Sequence, residues 1–143
     1  MKLEGTKQQM SQVFLEDGTL VPVTCVFVEA GIEGDLTGKE VIIVGTSKGK
    51  GFTGHMKRHG FKGAHKTHGQ SDRERAPGSS GSGTTPGRVL KGTRRAGRHG
   101  NKQVTLKGLK IIEVNQDIKQ LKVTGPLPGA RNSKVEIEVL EAK

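Results

Sequence analysis

The sequence predicts an all-β protein: a small six- to seven-stranded β-barrel from which a long, basic, irregular extension departs and to which it returns. Three observations lead there. Short runs rich in Val, Ile, Leu and Phe recur in both flanks of the chain, each bounded by Gly, Pro, Asn or Asp. No stretch repeats apolar residues at a helical spacing. Between the two sets of strands lies one block, residues 48–102, holding 14 of the 24 Lys and Arg, all five His and 13 of the 22 Gly.

The strands follow in order. Residues 10–15, MSQVFL, form the first, and Glu16-Asp17-Gly18 is hairpin chemistry. Leu20 to Ala30 is a strand with apolar residues on both faces, one of them carrying Val21, Val23, Cys25 and Phe27. Gly31 to Gly38 is an acidic, turn-rich connector, and Glu40 to Gly45, EVIIVG, is a buried strand. Past the block come Gln103 to Lys107, Leu109 to Val114, Lys119 to Thr124 and Lys134 to Leu140, with a hairpin at Asn115-Gln116-Asp117 and a loop at Pro126, Pro128 and Gly129. Val135, Ile137 and Val139 alternate with Glu136 and Glu138, the period of a strand with one wet face. Residues 1–47 and 102–143 therefore make one barrel domain and residues 48–101 an extension tethered at both ends.

Only Asp72 and Glu74 are acidic in the block, so its net charge is +12, whereas the flanks, with 10 basic and 12 acidic residues, sum to −2. Its only Val, Leu or Ile residues are Val89 and Leu90. Such a segment has too little to bury to offset the entropy of ordering itself, so it is expected to be disordered or shaped by a large polyanion. An anionic membrane is a poor match, because no apolar run reaches a spanning length and no amphipathic stripe is present. The N-terminus reads as neither signal nor transit peptide, and the single cysteine, Cys25, can form no intrachain disulfide. A reducing, cytoplasmic setting follows. Cys25 itself reads as a small buried hydrophobe.

Two motifs imitate nucleotide chemistry. Gly49-Lys50-Gly51-Phe52-Thr53-Gly54 fits G-x-G-x-x-G after a strand, but the segment that follows is broken at Gly60, Gly63 and Gly69, and no helix fits to face a pyrophosphate. A phosphate loop fails because Gly51 stands where Ser or Thr would bind magnesium. His55, His59, His65 and His68 lack an acid or cysteine to complete a zinc set, so polar contacts to sugar, phosphate or base are the expectation for them. No catalytic constellation, cofactor, metal or small-molecule substrate is implied.

With Phe52 and Phe61 the only aromatics in the block, a strand binder working by repeated base stacking is not indicated, and no recognition helix suits a DNA groove. Folded RNA contacted through its phosphates remains. The rivals are a nucleotide-binding enzyme using Gly49 to Gly54 and a stand-alone barrel with a non-specific basic loop.

The runs Gly45 to Phe52, Met56 to His59, Thr67-His68-Gly69, Arg75 to Ser79, Thr85 to Val89 with Lys91-Gly92, and Ala96-Gly97-Arg98 with Gly100-Asn101 resemble the universal large-subunit ribosomal protein L-three family in its bacterial form. The N-terminal Gly5-Thr6-Lys7, Met10-Ser11-Gln12 and Val21 to Thr24 are similar as well, as is Val123 to Gly129. The resemblance implies a translation-protein-type β-barrel whose basic loop runs into ribosomal RNA towards the peptidyl transferase centre. It also implies a structural, assembly-promoting role, ribosomal RNA and neighbouring ribosomal proteins as partners, and a ribosomal location in the cytoplasm. On that basis Lys48, Lys50, Lys57, Arg58, Arg75, Arg88, Lys91, Arg94, Arg95 and Arg98 are expected to contact phosphates. His68, Gly78, Pro86, Gly87 and Asn101 are expected to shape the extension. The chain departs from the family pattern in its short Gly31–Gly38 connector, where members usually carry an inserted lobe. It departs also at Gln9, usually glycine, and His99, usually methionine; Thr84 stands where some bacterial members have a methylated glutamine.

Overall fold

Alternation along Lys2-Leu3-Glu4-Gly5 sets Leu3 and Gly5 inward and the charged residues outward, and it makes the first strand longer than the sequence pattern indicated. In the computed structural model, which describes residues 1–32 and 34–140, β1 spans Lys2–Phe14 rather than beginning at Met10. Its first half has Leu3 as its sole large apolar residue, so periodicity alone did not mark it. Pairing on both sides holds it: Gly5 lies opposite Val28 of β2 (Leu20–Val28) and opposite Val135 of β8 (Lys134–Val139).

The other elements are β3 (Glu40–Thr46), β4 (Phe52–Thr53), α1 (His55–His59), β5 (Gly97–Arg98), β6 (Gln103–Asn115) and β7 (Gln120–Thr124). Six strands close into an antiparallel barrel in the order β1-β2-β7-β6-β3-β8. The two strands expected at 103–107 and 109–114 are one. Gly108, at φ 76°, bends β6 where its register with β3 shifts, and the strand continues instead of ending. Lys119, expected to open β7, instead takes a left-handed turn conformation at φ 49°.

The core is aliphatic: Leu3, Val26, Val28, Val41, Ile43, Ile111, Leu121, Val123, Val135, Ile137 and Val139 meet inside the barrel. On β2 the central cluster takes Val26 and Val28, not the Val21–Phe27 face; Val23 and Cys25 are buried but lie outside that cluster, and Phe27 is half-buried. The connector contributes Leu36, which is buried in the core, with Ile32 packed against it; Glu33 of that connector lies outside the described residues. The Pro126–Gly129 loop is pinned by Lys7, whose Nζ donates to the carbonyls of Leu127 at 2.7 Å and Gly129 at 2.9 Å. Burial, and secondarily the charge of Lys48, lowers the Lys7 pKa from the ordinary lysine value.

The chain divides into two compact units, Met1–Lys48 with Asn101–Lys143, and Gly49–Gly100. In the barrel unit the strands flanking the basic block stay paired to their ends: Thr46 lies opposite Gln103, and the Ser47 amide donates to the Lys102 carbonyl at 2.9 Å. No helix among the described residues is long and apolar enough to cross a membrane.

Candidate nucleic-acid interface

Gly49–Gly100 is held without an apolar core; Thr53 is its only buried residue among those described. Its order comes from backbone pairing and side-chain staples. The Lys50 amide donates to the His99 carbonyl at 2.8 Å and the His99 amide to Gly51 at 2.9 Å, and β4 pairs with β5, Phe52 opposite Arg98 and Thr53 opposite Gly97. The chain then turns into α1, a single helical turn that Gly60 ends at φ 74°. No amphipathic face is needed for a helix this short.

From α1 three side chains reach back to other segments. Arg58 Nη1 donates to the Arg95 carbonyl at 2.8 Å, and His59 Nε2 lies 3.0 Å from the same oxygen. His55 Nε2 lies 2.7 Å from the Arg75 carbonyl. A carbonyl can only accept, so both imidazoles carry their proton on Nε2. Phe61 lies against both rings, with centroids 5.7 Å from His55 and 6.0 Å from His59. These two histidines therefore staple protein backbone through Nε2, a role that the sequence reading did not assign to them. The reason is that helical spacing puts residues 55 and 59 on one side of a turn that faces the returning chain.

Glycines fit the staples. A Cβ on Gly97 would lie 2.6 Å from Arg58 Nη1, so the guanidinium passes where only glycine leaves room. At Gly63 a Cβ would overlap the Glu74 carbonyl oxygen, which accepts a hydrogen bond from the Ala64 amide at 3.0 Å. His99 Nδ1 is buried without a hydrogen-bond partner, and desolvation, followed by the charges of Lys50, Arg58, His59 and Lys57, lowers its pKa below the ordinary histidine value.

The expected site residues fall into three groups. Lys50, Lys57, Arg58, Arg75, Arg95 and Arg98 belong to this stapled region; all are exposed but Arg58, which is half-buried. One of Arg58's five donors is committed to Arg95, whose own Nη2 donates to Ser80 Oγ at 2.7 Å. His68, Gly78, Pro86, Gly87, Arg88, Lys91 and Arg94 lie exposed along the segment 67–94, outside any helix or strand. Gly78 at φ 88° and Gly87 at φ 64° take the left-handed conformation, and a Cβ on Gly87 would sit 2.9 Å from the Thr84 carbonyl oxygen. Lys48 and Asn101 lie in the barrel unit, both exposed, Asn101 with a left-handed φ of 51°. His55, His59, Gly97 and Ser80 were missed as organising residues; the four-residue spacing of the histidines was the one available signal.

The electrostatic pattern is one-sided. The one ion pair among the described residues joins Lys122 to Glu113 in the barrel, at 2.6 Å. No lysine or arginine of Gly49–Gly100 meets a carboxylate there, so its cations are free to meet an outside anion. No group of three or more metal-ligating side chains occurs among the described residues.

Fold and charge together define a β-barrel protein that inserts a glycine-rich polycation between two neighbouring strands. The chain belongs to the ribosomal protein L3 family, whose model matches residues 14–131. It is 48% identical over 98 residues to the large ribosomal subunit protein uL3 of Fusobacterium nucleatum, covering 68% of this chain and 46% of that protein. It is 48% identical over 114 residues to the protein of the same name from Chlorobium phaeobacteroides (77% and 54%) and 59% over 100 residues to that of Chloroflexus aggregans (70% and 48%). The chain thus spans about half the length of the curated relatives it matches.

Proposed function

We propose that this chain is a structural component of the large ribosomal subunit that binds ribosomal RNA, supports subunit assembly and catalyses no reaction itself. The observation that carries the reading is the set of unpaired cations on a coreless, glycine-stapled segment. Cations without carboxylate partners keep their full capacity for phosphate, and glycines let the backbone approach it closely. Residues 1–47 with 102–143 serve as the anchoring barrel, and residues 48–101 enter the RNA towards the peptidyl transferase centre. Lys48, Lys50, Lys57, Arg58, Arg75, Arg88, Lys91, Arg94, Arg95 and Arg98 meet phosphates, and His68, Gly78, Pro86, Gly87 and Asn101 set the path. Neighbouring ribosomal proteins are further partners, and the site of action is the cytoplasmic ribosome.

The test is co-sedimentation with large subunits in moderate salt, together with the salt dependence of RNA binding. With about six to ten phosphates engaged, a fourfold rise in salt should weaken binding by several orders of magnitude. A nearly flat response, or protein left free of subunits, overturns the reading.

A further inference from the structure

Beside β4 the stapled region forms a concavity of about 350 Å³, lined among others by Lys50, Phe52, Thr53, Met56, Lys57 and Arg75. Its volume lies at the lower end of the range for sites that hold one small organic group. Phe52 is 77% exposed, the largest exposure among the chain's big apolar residues, and it is an aromatic ring with no protein partner covering it. Thr53, the next residue of β4, turns the other way and is buried. Three cations, Lys50, Lys57 and Arg75, stand around the opening, none paired with a carboxylate among the described residues.

From these features we infer that the concavity is a binding site for a single unpaired ribonucleotide turned out of an RNA chain. This rests on the RNA-binding reading above and adds a specific occupant to it. A flat π surface open to solvent is what a nucleobase stacks on, and stacking tolerates any base because every base has a π face. The cations fit the phosphates on either side of that nucleotide. A base inside a duplex has both faces covered and cannot enter, so the site selects unpaired nucleotides while the remaining cations bind any RNA backbone. One aromatic ring is too little for a strand binder that stacks base after base. It suffices for one base.

The experiment uses the full chain, a fluorescently labelled single-stranded octaribonucleotide of uridine, and a labelled RNA duplex of equal charge, with affinities read by anisotropy. Phe52→Leu keeps an apolar side chain and removes the ring; at 77% exposure it has no packing to disturb. It should weaken the single strand roughly five- to hundredfold, as expected for one lost stack, and leave the duplex within about twofold. Phe52→Tyr should restore the single-strand affinity. If Phe52→Leu leaves both RNAs unchanged, or weakens both equally, the nucleotide site is wrong while the RNA reading stands. If the unaltered protein binds neither RNA, both fall.

Discussion

The guanidinium of Arg58 donates to the backbone carbonyl of Arg95, 37 residues away, at 2.8 Å, placing one cation of the basic segment as support for another. A residue expected to act outward on phosphate is thus seen to act inward on the protein. This inward role is open to experiment.

Arg58→Ala should free the Arg95 segment and speed hydrogen exchange at the Lys50 and His99 amides about fivefold, the loss of about 1 kcal/mol for a partly exposed charged hydrogen bond. Gly97→Ala should do the same by displacing the guanidinium, and the double variant should be no worse than either alone. Hydrogen exchange read by mass spectrometry on the four proteins decides it. Additive effects would show that Gly97 and Arg58 act apart.

His99 should titrate below 6.5 in an NMR titration of its ring protons, because burial and its cationic neighbours oppose protonation. The sign for stability follows. Above 6.5 the ring is neutral in folded and unfolded chains alike; as pH falls below that value, the unfolded chain takes up a proton that the native ring resists. Native structure around His99 therefore loses stability from 6.5 downward until the lowered native value is passed. Added salt screens Lys50 and Arg58 and should move the midpoint up. A midpoint at or above 6.5 would contradict the buried, unpartnered Nδ1.

Gly5→Ala tests the barrel. The added Cβ would stand 2.7 Å from Val26 Cγ1 and 2.8 Å from the Phe27 carbonyl oxygen, at a point where β1 is paired on both sides. Overpacking of this kind costs about 1–3 kcal/mol, so thermal melting should fall by several degrees. An unchanged midpoint would mean that the strands separate at no cost.

Gly87→Val should impair incorporation into large subunits in cells that also carry the unaltered protein, although net charge is untouched. The left-handed φ of 64° and the Thr84 carbonyl oxygen both oppose a β-branched side chain. Lys2→Ala, which removes a charge from the barrel, should do much less, and barrel melting should barely change with Gly87→Val. Equal incorporation of Gly87→Val and unaltered protein would leave bulk charge as the sole determinant.

What the sequence made legible was whatever a local period or a composition shift encodes. Val135-Glu136-Ile137-Glu138-Val139 announces β8, and the disappearance of Val, Leu and Ile after Gly45 marks where the barrel's side chains give way to the basic block. The first half of β1 was hidden because its strand character comes from two partners distant in sequence. Leu36 sat in a connector too short to show any period. The staples were invisible for a different reason: a side chain meeting a backbone carbonyl leaves no trace in the residue that offers the carbonyl. Arg75 and Arg95 read as charges, yet their main-chain oxygens are what His55, His59 and Arg58 hold.

The pairing of β1 with β8 joins the two extremes of the barrel sequence, Lys2 opposite Glu138. Hairpins such as β1–β2 and β6–β7 close over short loops and can form early, whereas this seam has the highest sequence separation of any ladder and must form late. During synthesis the whole basic segment has therefore left the ribosome that makes it before the barrel can shut. A polycation presented on an unfinished scaffold is open to its counterion while the fold is still incomplete, so on the RNA-binding reading proposed above, capture of RNA and completion of the barrel would be competing clocks rather than successive steps.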